Sequence, residues 1–252
     1  QTVVASVPSL LARNAAPAVL RPYLRAFPVP NGEDLDNGAA RFTAVTTNPQ
    51  NRKTYAIRAD HTIAPGNVLF ARYSFSPSNG ESRGSEFQAP SVMTTQDSKS
   101  HTVTGAWIKS LGARTVNDLR ANFTSNTFKS SGVMDAFGGA IPLKSAVVFP
   151  EGVDTSNGAF NLSVLGLSSY SFGARGSNDQ RMINVVDGLS ITAGSHSYKM
   201  GFDYRRQTVT NHNVPYTVNA TFNGLGPDEG SLLSGTATNV SVSSNVAEVY
   251  PK

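Results

Sequence analysis

The chain has 252 residues, of which 39% are hydrophobic and only 15% charged, with a net charge of +4 and no cysteine. Soluble domains usually carry ~25% charged residues, so this composition argues against an ordinary fully solvated surface. The lack of cysteine excludes a disulfide frame, a thiolate metal site and a cysteine nucleophile. Lys and Arg are scattered with no run of five, so no nucleic acid is expected as a partner.

In chain order, the opening QTVVASVPSLLARN lacks the charged region and long apolar core of a signal peptide, and no stretch approaches the ~20 apolar residues of a transmembrane helix. The chain is therefore expected to be a processed piece or part of a longer one. LLARNAAPAVLRPYL (10–24) has helical flavour interrupted by Pro17 and Pro22, and FPVPNGEDLDNG (27–38) reads as a Pro-rich loop. Residues 1–40 are thus expected as an N-terminal loop and short-helix segment, and 41–252 as one domain of antiparallel strands with long loops.

Beyond residue 40 the hydrophobic period switches to two, the period of strands. Three strand pairs are predicted: 54–60 with 68–76 around the turn APGN, 101–110 with 115–126 around LGAR, and 181–192 with 197–209 around AGSH. Weaker strands are expected at 41–46, 216–222 and 240–244. Turns within pairs take about four residues, whereas the connections between pairs, 77–100 and 127–180, are long. Short turns at one end and long loops at the other is the pattern of a membrane β-barrel, and ~9–11 residues suffice for a strand to cross a bilayer obliquely.

The segment 198–205 shows the alternation most clearly. Tyr198, Met200, Phe202 and Tyr204 alternate with Lys199, Gly201, Asp203 and Arg205. Such a strand has one apolar and one polar face. In a soluble, secreted β-sheet binding or scaffold protein the apolar face would be core; in an outer-membrane barrel it faces lipid and the polar face lines a wet lumen. The fold class expected is all-β, a partial up-and-down transmembrane barrel, with the soluble protein as the alternative. In the barrel reading the lumen-facing polar candidates are Arg58, Asp60, Arg72, Asp118, Arg120, Lys199, Asp203 and Arg205.

Catalytic signatures are missing from the sequence. His61, His101, His196 and His212 are the only histidines and none has a metal-ligand spacing. No nucleophile elbow or phosphate loop occurs, so a hydrolase with a dispersed Ser/His/Asp site is the weaker alternative. Glu33, Asp34 and Asp36 fail the EF-hand order and read as a solvated turn. No catalytic residue, metal or cofactor is expected, and the chain is expected not to be an enzyme.

RADHTIAPGNVLFARYSFS (58–76), TVNDLRANFTSN (115–126) and DGLSITAGSHSYKMGFDYRRQ (187–207), with FPVPN (27–31) before them and TFNGLGPDEGSLLSG (221–235) after, resemble the Oar-like TonB-dependent outer-membrane receptors. The likeness runs over 20–235. It implies a segment of a Gram-negative-type outer-membrane receptor and transporter barrel, structural and substrate-binding rather than catalytic. It also implies outer-membrane lipid, a plug domain and the TonB complex as partners through the parent chain, and a small ligand at the outer loops. Such receptors have about 22 strands; with six clear and three weaker strands, no plug or TonB box and the closing VYPK, the chain is expected to be an interior portion of that barrel.

Overall fold

A computed structural model of the chain describes residues 1–85 and 87–245; the closing VYPK lies outside them. The all-β expectation holds. Six long strands form a meander: β4 (Tyr55–Ala64), β5 (Asn67–Arg83), β6 (Val92–Ser110), β7 (Thr115–Met134), β9 (Tyr170–Ala193) and β10 (His196–His212), each antiparallel to the next. The three hairpin turns fall at 65–66, 111–114 and 194–195, where Gly66, Gly112 and Gly194 adopt positive φ. L-residues with a Cβ rarely tolerate that conformation.

The strands run farther than the alternation predicts. β5 continues to Arg83 and β6 begins at Val92, so the connection expected over 77–100 is really 84–91. β7 extends to Met134, and β9 begins at Tyr170, ten residues before the predicted loop ends. These extensions are rich in Ser, Asn and Gly and poor in the alternating apolar residues that mark a strand; Asn and Gly are themselves depleted in strands, and the extensions are held by ladder pairing.

The ladder also fixes the tilt. One register row runs His61–Leu69–Trp107–Leu119–Asp187–Phe202. From that row the strand ends at the turns lie two residues away at Asn67, three at Ser110 and six at Ala193. Successive hairpins therefore slide by roughly two residues, or about one per strand. A ~3.3 Å rise against a ~4.8 Å strand spacing inclines the strands by about 35°, at the edge of the ~35–45° range of membrane barrels.

At the end away from the turns, the remaining chain packs into a cap. β1 (Thr2–Pro8), missed in the sequence, pairs with β2 (Ala39–Val45) and buries Val3, Ala5 and Val7 on one face. The 10–24 helix divides as its prolines require: α1 (Leu10–Ala15) is capped by the Ser9 hydroxyl, and α2 (Arg21–Arg25) carries Pro22 in its first turn, where proline costs no hydrogen bond. β8 (Gly158–Val164) pairs with the start of β9 and runs parallel to β11 (Tyr216–Phe222), which in turn pairs with β12 (Asn239–Ser244). The weaker predicted strands near 41–46, 216–222 and 240–244 exist, but they belong to the cap and take no place in the meander. β3 (Gln50–Arg52) extends the edge of β5 beside β4. Between these elements lies a core containing Leu24, Phe27, Val92, Phe160, Tyr170 and Phe172, with Phe27 edge-on to Tyr170 at 5.0 Å between ring centroids.

Arg83 fastens cap to sheet. Its guanidinium is buried, makes a bidentate pair with Asp135, donates to the Pro90 carbonyl and lies 4.4 Å from the Phe137 ring centroid. Its neighbour Gly84 has positive φ and passes so close to Val3 that a side chain would collide.

Candidate functional site

Directly paired residues of a ladder point to the same face, so the registers sort every side chain of the meander. One face carries Tyr55, Ile57, Leu69, Tyr73, Phe75, Val103, Trp107, Leu119, Phe123, Ile183, Val185, Leu189, Ile191, Tyr198, Met200, Phe202 and Tyr204. No described element packs on it: Ile57 is 71% exposed and Phe202 57%. On β9 the apolar positions run from Ile183 to Ile191, eight steps, or about 22 Å along the normal at the tilt above. Membrane barrels present an apolar band of ~25 Å edged by aromatic girdles. Here Tyr55, Phe75 and His101 stack near the cap side of the band, with the Tyr73 hydroxyl 2.9 Å from His101 Nδ1. Toward the turns, Trp107 donates to Asn67 and Lys109 lies 5.5 Å from its ring. Asp187 and Asn117 are polar positions inside the band, and Asp187 accepts a 2.8 Å hydrogen bond from Asn117.

The opposite face holds all eight residues singled out in the sequence: Arg58, Asp60, Arg72, Asp118, Arg120, Lys199, Asp203 and Arg205. Most pair along their own strand two residues apart: Arg58 with Asp60 at 2.6 Å, Arg120 with Asp118 at 2.7 Å, and Arg205 with Asp203 at 3.9 Å. Arg58 also covers the Phe70 ring at 4.4 Å. Asn184 donates to Asp203, Asn122 donates to Thr104 at 2.8 Å, and Thr124 donates to Asn122 at 3.0 Å. Arg72 sits opposite Arg58, and among the described residues neither Arg72 nor Lys199 makes an ion pair. The result is a hydrated, mixed-charge surface with cations to spare.

For the hydrolase alternative, the nearest constellation is His212 Nε2 at 3.1 Å from Asp179, with Ser177 opposite His212 in register. No described serine hydroxyl hydrogen-bonds a histidine, so the nucleophile–base leg that activates a serine is not formed. His61 and His196 lie beside turns on the apolar face; His101 belongs to the aromatic cluster. Glu33 pairs with Arg41 at 3.0 Å. The described residues include no group of three or more His, Asp or Glu able to hold a metal ion, and no helix long and apolar enough to cross a membrane, which says nothing of a β-barrel.

In the cap, Arg13 donates to the carbonyls of Pro8, Phe27 and Pro28, and burial lowers its pKa to about 10. Burial also raises the Tyr170 phenol well above its ordinary value, with a further push from Tyr23. The Arg83–Asp135 anchor was not legible in the sequence, because its partners are 52 residues apart and share no motif; the alternation in TVVASVP was the available signal for β1.

A family model described as the outer membrane beta barrel domain matches residues 6–250. No curated protein matches, and no solved structure does.

Proposed function

The chain belongs to the outer membrane beta barrel domain family, and from that premise we propose that its six-stranded meander is a sector of a larger Oar-like TonB-dependent receptor barrel, structural and ligand-binding rather than catalytic. The observation that carries this reading is the two-faced sheet, with a continuous uncovered apolar surface on one side and paired charges on the other. In this reading the apolar face meets outer-membrane lipid. The face bearing Arg58, Asp60, Arg72, Asp118, Arg120, Lys199, Asp203 and Arg205 lines the lumen, where Arg72 and Lys199 remain free to meet acidic groups of a plug domain. The folded cap stands over the outer rim and offers a surface to a small ligand.

The open edges support a barrel larger than six strands. The outer edges of β4 and β10 have no partner among the described residues. In hydrocarbon every backbone N–H and C=O must be paired, and the smallest membrane barrels have about eight strands. Strands beyond these six therefore complete the cylinder. Immunoblotting the source organism's outer-membrane fraction tests the proposal. A band several times larger than 26.7 kDa, shifted to still higher mass by crosslinking in cells that contain TonB and not in cells that lack it, is expected. A band of 26.7 kDa in the soluble fraction contradicts it.

A further inference from the structure

Just beyond the apolar band, on the same outward face, the ladder gathers cations. Lys99, Arg181 and Arg206 all lie there and are exposed. Arg181 faces Thr208 across β9–β10, and Arg206 is two residues from Thr208, which sets the two arginines at the diagonal cross-strand spacing of about 7–8 Å. Lys99 lies in the neighbouring row with Thr127 and Asp179. None of the three makes a hydrogen bond or ion pair among the described residues. Of the acidic side chains on the same face, Asp179 lies 3.1 Å from His212 and also feels the charge of Arg181, and Asp97 faces Lys129 in register. The hydroxyls of Ser125, Thr127, Thr208 and Thr210 fill the positions between. Above them, where sheet meets cap, a groove of about 570 Å³ is lined by Asp97, Lys129, Ser177, His212 and Thr155. At the turn end, the cation that the described strands place on this face is Lys109, and it is engaged with Trp107. The basic cluster is thus confined to the leaflet beside the cap.

We infer that this patch is a binding site for the phosphorylated headgroup of an outer-leaflet glycolipid, with Lys99, Arg181 and Arg206 meeting its phosphates and the groove receiving its sugar. Arginine's planar fork suits phosphate oxygens bidentately. Cations close to an anionic membrane surface add attraction one by one. The acyl chains of such a lipid continue down the apolar band, so one molecule satisfies both surfaces. A free phosphate ion would use the cations and leave the adjoining band unused.

This inference rests on the outward face being lipid-facing, and the experiment separates the two. The full native chain is incorporated into zwitterionic lipid nanodiscs doped with a diphosphorylated glycolipid, and retained lipid is read by native mass spectrometry. Retention is expected for the phosphorylated glycolipid and not for the same lipid with its phosphates removed. Arg181→Gln should weaken retention about fivefold, and Lys99→Ala/Arg181→Ala/Arg206→Ala together roughly a hundredfold, from a fivefold loss per cation; Lys109→Ala should change nothing. Equal retention by the triple variant, or of the dephosphorylated lipid, overturns the headgroup site while leaving the barrel reading intact. Failure of the wild-type chain to enter the discs overturns both.

Discussion

The sheet and the cap use the same strand alphabet and bury their apolar residues in opposite directions. In the cap, Val3, Ala5 and Val7 are buried at alternate positions of β1, and Ala5 and Val7 join a core shared with Leu24, Phe27 and Tyr170. In the meander, Tyr198, Met200, Phe202 and Tyr204 alternate just as regularly and no described element packs over them; all are more than half exposed. Cap stability therefore comes from the packing and hydrophobic burial that hold any water-soluble domain together. Meander stability comes from its ladders and from a medium the chain does not supply. Alternation in a sequence reports that a strand has two unlike faces; what covers the apolar one is decided by the rest of the fold.

This contrast can be broken from either side. The largest effect is expected in the cap: Phe27→Ala opens a cavity beside Tyr170 and should cost about 3–5 kcal/mol, read as loss of amide protection in β1, β8 and β11 while the hairpin ladders stay protected. On the outward face, Phe202→Arg and Leu119→Arg should each cost about 2–4 kcal/mol of stability in a bilayer. The same substitutions should have little effect on cap protection. Gly173, with φ of 96°, approaches the Gly158 carbonyl so closely that a methyl group collides; Gly173→Ala should cost about 2 kcal/mol and detach β8 from β9, measured by proteolysis of the cap.

The smallest effect is a pH dependence. Burial raises the Tyr170 phenol above its unfolded value of ~10, at the cap end of β9 and outside the crossing span. A raised folded-state pKa contributes stability that is fully present below pH ~10 and is lost as pH rises beyond it. Cap stability, followed by near-ultraviolet circular dichroism, should therefore fall in alkali. Tyr170→Phe should flatten that loss at a cost under about 1 kcal/mol at neutral pH, since the hydroxyl's one contact is the Tyr23 carbonyl at 3.5 Å.

The hairpins were legible because turn chemistry and period two act over neighbouring residues: APGN, LGAR and AGSH fall at the observed turns, and all eight polar candidates fall on one face. The cap was not legible as a unit. Its core joins Val7, Leu24, Val92, Tyr170 and Leu232, whose proximity depends on long-range pairing that no local pattern encodes. The stretch SNGAFNLSVLGLSSYSFGARGSND looks like low-complexity loop, yet it contains β8 and the start of β9, where Phe160, Leu162, Tyr170 and Phe172 are buried. Ser, Asn and Gly between those residues masked the alternation. The strand extensions above the band escaped notice for a related reason: facing water on both sides, they need no hydrophobic period.

The central claim is that the outward face of β10 contacts lipid and the inward face contacts water. The direct measurement places a spin label in turn at each position from 198 to 205 in the bilayer-reconstituted protein and compares collision with oxygen, which partitions into lipid, and with a water-soluble nickel complex. The account predicts a period of two, with oxygen favoured at 198, 200, 202 and 204 and nickel at 199, 201, 203 and 205. Uniform nickel access, or low access to both at the even positions, would contradict it and would make the apolar face a protein-covered core.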